Sequence, residues 1–262
     1  MFREAFFLNV PTTTLTGGVG TSFTEVPVRM PDFDFEFRRT IHTSTSNLIY
    51  KKIFDGFTSK YLFNGAPDLR SVSGRSLSGI TAYGFLPFNW PIPYTIKART
   101  SASFFLSDFS TSTNVLDLSY HGIGIYRNIP TDKSGKPVDY NEPRTYVPIV
   151  IQSESIVAAA GAGNVKEGLA TILNDADFVC TKITGISTGD GYVSIQDSSR
   201  MLDWQQGKTR ISNFIGNGQF PNVLTAPRFV KADSNLSIKW ENNTGSQNTL
   251  QLSFHGYKRF DK

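Results

Sequence analysis

The sequence holds one cysteine, Cys180, so no intrachain disulfide can form and no cysteine-based metal site can be assembled. Its neighbours Phe178, Val179 and Ile183 place it in a strand as a small buried hydrophobe. Three histidines, His42, His121 and His255, leave little material for acid–base catalysis or a metal centre. Charged residues are only 18% of the chain, and the net charge of +4 is scattered, which argues against specific nucleic-acid binding. The pairs Arg38 and Arg39, Lys51 and Lys52, and Lys258 and Arg259 therefore read as strand edges and turns. No apolar run reaches membrane-spanning length, and the apolar start is too short and too interrupted by charge for a secretory signal. These absences point to a protein without a membrane span, made and folded in a cytoplasm.

Serine, threonine, asparagine, glycine and 21 phenylalanines fill the space left by charge, a mixture that favours strands and polar turns. Phe33, Phe35 and Phe37 alternate with Asp34, Glu36 and Arg38, the period-2 mark of a half-buried strand. The same alternation runs through residues 116–121 and 250–255. Further strands are expected at 94–98, 101–106, 192–195, 228–231 and 236–240, separated by turns such as Asp190-Gly191, Asn217-Gly218 and residues 242–245.

Residues 86–122 and 220–256 align without a gap. About 12 of roughly 37 positions are identical, against about two expected from average composition. The identities include Pro87 and Pro221, Lys97 and Lys231, Asn114 and Asn248, and the closing pairs His121 and His255, Gly122 and Gly256. Upstream, with a loop about nine residues longer in the first copy, Gly18, Gly20, Asp32, Asp34 and Phe35 fall on Gly161, Gly163, Asp175, Asp177 and Phe178. A repeat this long is a whole domain, not a solenoid turn.

The expected architecture is all-β: two tandem antiparallel, jelly-roll-like β-sandwich domains related by internal duplication, at 1–131 and 145–262. A proline- and charge-rich linker at 132–144 joins them, within an exposed connector over 128–144. Residues 165–174 offer the clearest helical signal. Gly168 weakens it by roughly 1 kcal/mol, and the repeat sets this stretch against the strand-like residues 21–30, so a strand is preferred.

No catalytic constellation emerges. Asp32, Asp34 and Glu36 line one strand face about 7 Å apart but lack a facing partner across a bond. The glycine-rich residues 17–20 and 161–163 are followed by neither Lys-Ser nor Lys-Thr, so no phosphate cradle is expected. Asp190-Gly191 and residues 233–235 lack the alternating oxygen ligands of a calcium loop. No catalytic residue, cofactor or metal is assigned. Phe85, Phe88, Trp90 and Tyr94, around three prolines, form an aromatic segment that is either sheet-edge packing or an interaction surface for a protein or a sugar.

The residues 221–260 combine a proline-flanked strand, the strand Leu236-Ser237-Ile238-Lys239-Trp240, an asparagine-rich turn and a final strand through His255-Gly256-Tyr257-Lys258. This pattern, repeated up to His121-Gly122-Ile123-Gly124, resembles virion structural proteins of bacteriophages. The resemblance implies a non-enzymatic capsid, decoration or tail-associated protein in the virion that associates with itself and with other virion proteins. A trimer of such a chain displays pseudo-sixfold symmetry. Another reading from a different class is a carbohydrate-binding tandem sandwich using Trp90, Trp204 or Trp240. A hydrolase would need an acid–base pair that the sequence does not provide.

Overall fold

The structure is a computed structural model that describes residues 1–17, 23–44, 49–62, 74–77, 84–108, 110–132, 134–139, 145–217 and 220–260. Two compact units emerge. The N unit comprises Phe6–Ser76 and Leu86–Ile125, and the C unit comprises Met1–Ala5, Leu77–Phe85 and Tyr126–Lys262. Among the described residues every regular element is a strand apart from one 3-10 turn at Ile211–Asn213.

The first ten strands are β1 (Phe2–Leu15), β2 (Thr24–Arg29), β3 (Asp34–Ser44), β4 (Ile49–Asp55), β5 (Lys60–Tyr61), β6 (Gly74–Leu77), β7 (Gly84–Leu86), β8 (Phe88–Ile96), β9 (Ser101–Asp108) and β10 (Asn114–Tyr126). In the N unit β1, β10, β3 and β8 form one sheet in that order, and β2, β9, β4 and β5 form the other. Alternate side chains of both sheets meet in one core, where Leu8, Phe35, Phe37, Leu118 and Tyr120 face Val28, Ile53, Phe104 and Leu106. This is the antiparallel sandwich expected from the alternation, because period-2 patterning gives each sheet one apolar face to bury.

The C unit continues with β11 (Thr145–Gln152), β12 (Ile156–Ala158), β13 (Asn164–Ile172), β14 (Asp177–Ser187), β15 (Gly191–Asp197), β16 (Leu202–Asp203), β17 (Gln205–Gln206), β18 (Thr209–Arg210), β19 (Asn222–Val230), β20 (Ser234–Asn242) and β21 (Asn248–Phe260). Its sheets run β11-β21-β14-β19 and β13-β20-β15-β16. Numbering the eight main strands of each unit in chain order gives the same pair of sheets, 1-8-3-6 and 2-7-4-5, which is the strand order of a jelly roll. Of the stretch 165–174, residues 165–172 are strand in β13, as the repeat indicated: alternation of buried Gly168, Ala170 and Ile172 with exposed neighbours overrides local helix propensity.

Fine structure recurs at matching positions. Gly122 pairs with Phe37 and His121 with Arg39, leaving Arg38 as a bulge; Gly256 pairs with Cys180 and His255 with Lys182, leaving Thr181. A Cβ on Gly122 would sit 2.1 Å from the Glu36 carbonyl oxygen, and one on Gly256 would sit 1.9 Å from that of Val179. The glycine after each histidine therefore lets the bulged strands close. Positive φ falls on Ser59 and Met201 and on Arg99 and Asp233. The Asp34 carboxylate accepts the Ala98 N–H at 2.9 Å, and Asp177 accepts that of Ala232 at 2.8 Å. Asn114 Nδ2 donates to Asp108 and Ser110, while Asn248 Nδ2 donates to Asn242 and Thr244.

Where it is described, the connector expected over 128–144 is largely exposed, with Asp132 and Val138 buried. Asp132 is fully buried, and its Oδ1 accepts from the Ser134 and Lys136 amides. Thr131 bridges Pro137, and Val138 packs with Phe2, Val179 and Phe229 in the C unit. An aspartate-centred turn satisfies the local backbone within this exposed segment. Residues 133 and 140–144 lie outside the described residues.

Candidate functional site

The N unit leaves the outer face of one sheet open and the C unit leaves both, one of them charged and the other largely apolar. The apolar one is the face of β11-β21-β14-β19. A row of cross-strand neighbours runs Val150, His255, Lys182, Val223. A groove of about 430 Å³ lies between Pro148, Val150, Lys182, His255 and Tyr257. A second groove of about 200 Å³ continues past Thr184, Ile186, Gln251 and Ser253. Val150 is 53% exposed and Ile186 65%, and Tyr146, set edge-on to Tyr257 at 5.0 Å, and Val223 are exposed as well. Thr184 Oγ1 lies 2.8 Å from His255 Nε2. Partial burial and the nearby Lys182 charge both hold the His255 ring below its ordinary pKa, so the imidazole is neutral at pH 7. Lys182 brings positive charge to this face, and none of the residues just named carries a carboxylate.

His121, the counterpart of His255, is buried and lies edge-on to Phe7 at 4.6 Å. Ser119, which bonds Asn9, and Ile41 beside it are buried too. The sequence placed both histidines on outward strand faces; only the C unit leaves its face in contact with solvent.

The open face of the N unit is that of β2-β9-β4-β5. One row runs Glu25, Phe105, Lys52, and the next Pro27, Ser103, Phe54, Tyr61. Phe54 and Tyr61 rings are 5.2 Å apart, Tyr61 and Phe105 are 6.0 Å apart, and the Lys52 ammonium lies 6.0 Å from the Tyr61 ring. Tyr61 is 55% exposed. The matching positions of the C unit carry Gln196, Asp203 and Lys239, which line a polar groove of about 310 Å³ with Ser194 and Ser237. Lys239 there pairs with Glu167 at 3.1 Å. The same strands thus form with polar residues, so the three rings are not required by the fold.

The aromatic segment singled out in the sequence turns largely inward. Trp90 donates its indole N–H to Thr40 at 2.6 Å and packs on Phe37. Tyr94 donates its hydroxyl to Asp55 at 2.7 Å and packs against the N-unit core. Phe88 is half-buried, and the Phe85 side chain lies outside the described residues. Trp204 and Trp240 are fully buried, which removes them as sugar-stacking platforms. The cluster of Phe54, Tyr61 and Phe105 was not singled out, because its members come from three strands and meet only through pairing. Aligning the repeats over β4 and β5 would have exposed the contrast, but the spacing shifts by one residue there.

The carboxylates weighed as catalytic candidates are paired within their turns and strands. Asp32 bonds Arg99 at 3.0 Å and Asp34 bonds Lys97 at 2.9 Å, while Glu36 accepts from Arg38. Asp175 accepts from Lys258, which draws its carboxyl below the usual range. Burial pushes the Cys180 thiol far up. Among the described residues no group of three or more His, Cys, Asp or Glu is placed to hold a metal ion, and no helix is long and apolar enough to cross a membrane.

No known protein family matches the chain, and no curated protein matches it. Among solved structures it is similar to the CUB1-EGF-CUB2 domains of rat MASP-1, with 14% identity over 93% of this chain and 96% of that one and a TM-score of 0.21. A likeness at that score carries no argument about fold or function.

Proposed function

We propose that the chain is a non-enzymatic structural protein, built from two copies of one ancestral jelly roll, that acts by associating with itself and with other proteins of a particle. The observation that carries this reading is the pair of open, largely uncharged sheet faces, one per unit, where monomeric domains normally expose only scattered apolar side chains. The jelly-roll order adds support by analogy alone, since this architecture recurs in viral capsid proteins, lectins and cupins. The resemblance of residues 221–260 to bacteriophage virion proteins gives the particle its proposed identity: a capsid, decoration or tail-associated component, folded in the host cytoplasm. Light scattering after size exclusion, followed by electron microscopy of purified particles, tests this. An oligomer found in particles is expected; a monomer at every concentration, absent from particles, would refute it.

One observation favours the alternative, a carbohydrate-binding sandwich: the exposed Tyr61 ring, packed on half-buried Phe54 and Phe105 beside Lys52 and Glu25, offers apolar stacking next to polar groups. Binding to a glycan array that disappears in Tyr61→Ala would support it.

A further inference from the structure

Resting on the self-association reading, we propose that the aromatic face of the N unit docks on the open apolar face of the C unit of a second copy, so that the chain assembles head to tail. Three observations lead there. The two faces lie on different sheets: in the C unit the positions matching the aromatic cluster are polar, and in the N unit His121, Ser119 and Ile41, at the positions matching the other face, are buried. A contact of like with like would use only one of the two, whereas a heterologous contact uses both. Phe54, Tyr61 and Phe105 supply the kind of aromatic anchors that dominate protein interfaces, and Val150, Ile186 and Val223 supply an aliphatic floor for them.

One ion pair is open to this pairing: Glu25 and Lys52 flank Phe105 on opposite sides of the aromatic face, Lys182 sits beside His255 on the other face, and neither Glu25 nor Lys182 has an ion-pair partner among the described residues. Docking the C-unit face on its own copy would instead bring two Lys182 ammonium groups to a surface short of carboxylates. Four strands and about six residues of each span a face of roughly 400 Å². The two together reach about 800 Å², below the roughly 1,200 Å² at which stable specific interfaces begin and in the range of weak, transient contacts. A single contact of this size is weak, and a chain carrying both faces gains by repeating it.

The geometry dictates a complementation experiment on the full chain. One variant carries Phe105→Lys and Tyr61→Asp, residues that the C unit itself accommodates at these positions, and the other carries Val150→Lys and Ile186→Lys at exposed sites. Circular dichroism first checks that both fold. Sedimentation at about 0.1 mM, suited to so weak a contact, is expected to show oligomers for the natural chain, monomers for each variant, and dimers in their equimolar mixture, because one intact face of each kind remains. A mixture that stays monomeric overturns head-to-tail docking. Oligomers unaffected by either variant overturn it too while leaving self-association standing. A natural chain that is monomeric throughout overturns both. Charge exchange gives a second readout: Glu25→Lys or Lys182→Glu alone should weaken assembly about tenfold, and the two together should restore it. Loss of glycan binding in the aromatic-face variant, with the oligomer intact, would instead assign that face to a sugar and overturn the proposal.

Discussion

The Glu4 carboxylate, with no solvent exposure, accepts two hydrogen bonds of 3.0 Å from the Arg200 guanidinium, which is 196 positions away in the sequence. Glu4 also accepts the Phe229 N–H at 3.0 Å, and Arg200 reaches Asp197 at 2.9 Å. Arg228 donates to the Ala5 carbonyl and lies against the Trp204 ring. These bonds make Met1–Ala5 an integral piece of the C unit.

Removing one partner strands the other in a buried site, which costs about 3 to 5 kcal/mol. Glu4→Ala should therefore lower the denaturation midpoint of the C unit strongly, while Asp32→Ala, which breaks an exposed pair with Arg99, should not. Urea melts followed by circular dichroism would separate the two; equal midpoints would show that Glu4 contributes nothing.

Gly122→Ala and Gly256→Ala each push a methyl into a backbone carbonyl that cannot swing aside. A loss of about 2 kcal/mol or more is expected for each. Gly135→Ala, where no atom lies within 4 Å but φ is +83°, should cost about 1 kcal/mol through backbone strain alone.

Lys51 is fully buried, with its ammonium 3.5 Å from the Tyr120 hydroxyl, where the C unit has Val193 and Phe254. Burial lowers the Lys51 amine to about 7 from an ordinary 10.5. Between those values the unfolded chain binds more protons than the folded one, so stability should rise as pH increases from about 7 to 10.5 and level off below about 7. Lys51→Met should abolish this slope and stabilise the protein at pH 6 by on the order of 4 kcal/mol. Melting temperatures at pH 6 and 9 would check both statements.

Cys180 should resist a thiol reagent in the folded protein and react at the rate of C-unit opening, because it is inaccessible and its thiolate is disfavoured. Rapid labelling under native conditions would contradict the burial.

The phenylalanine alternation in β3 and the serine–leucine alternation in β10 and β21 were legible because side chains in a strand alternate between faces whatever the strand packs on. That Asn114 and Gly122 have counterparts at Asn248 and Gly256 was legible in the repeat, and local backbone chemistry repeats with local sequence. The sequence by itself thus determined an all-β chain, its strand faces and its repeated turns. Whether an outward face is covered is a different matter, fixed by segments far away in the chain. His121 and His255 occupy equivalent positions in sequence and in register, yet one is buried and the other lines an open groove. Phe54, Tyr61 and Phe105 became a cluster, and Glu4 met Arg200, only because long-range strand pairing brought them together; the tertiary structure decided these, since burial and non-local contact have no period to be read.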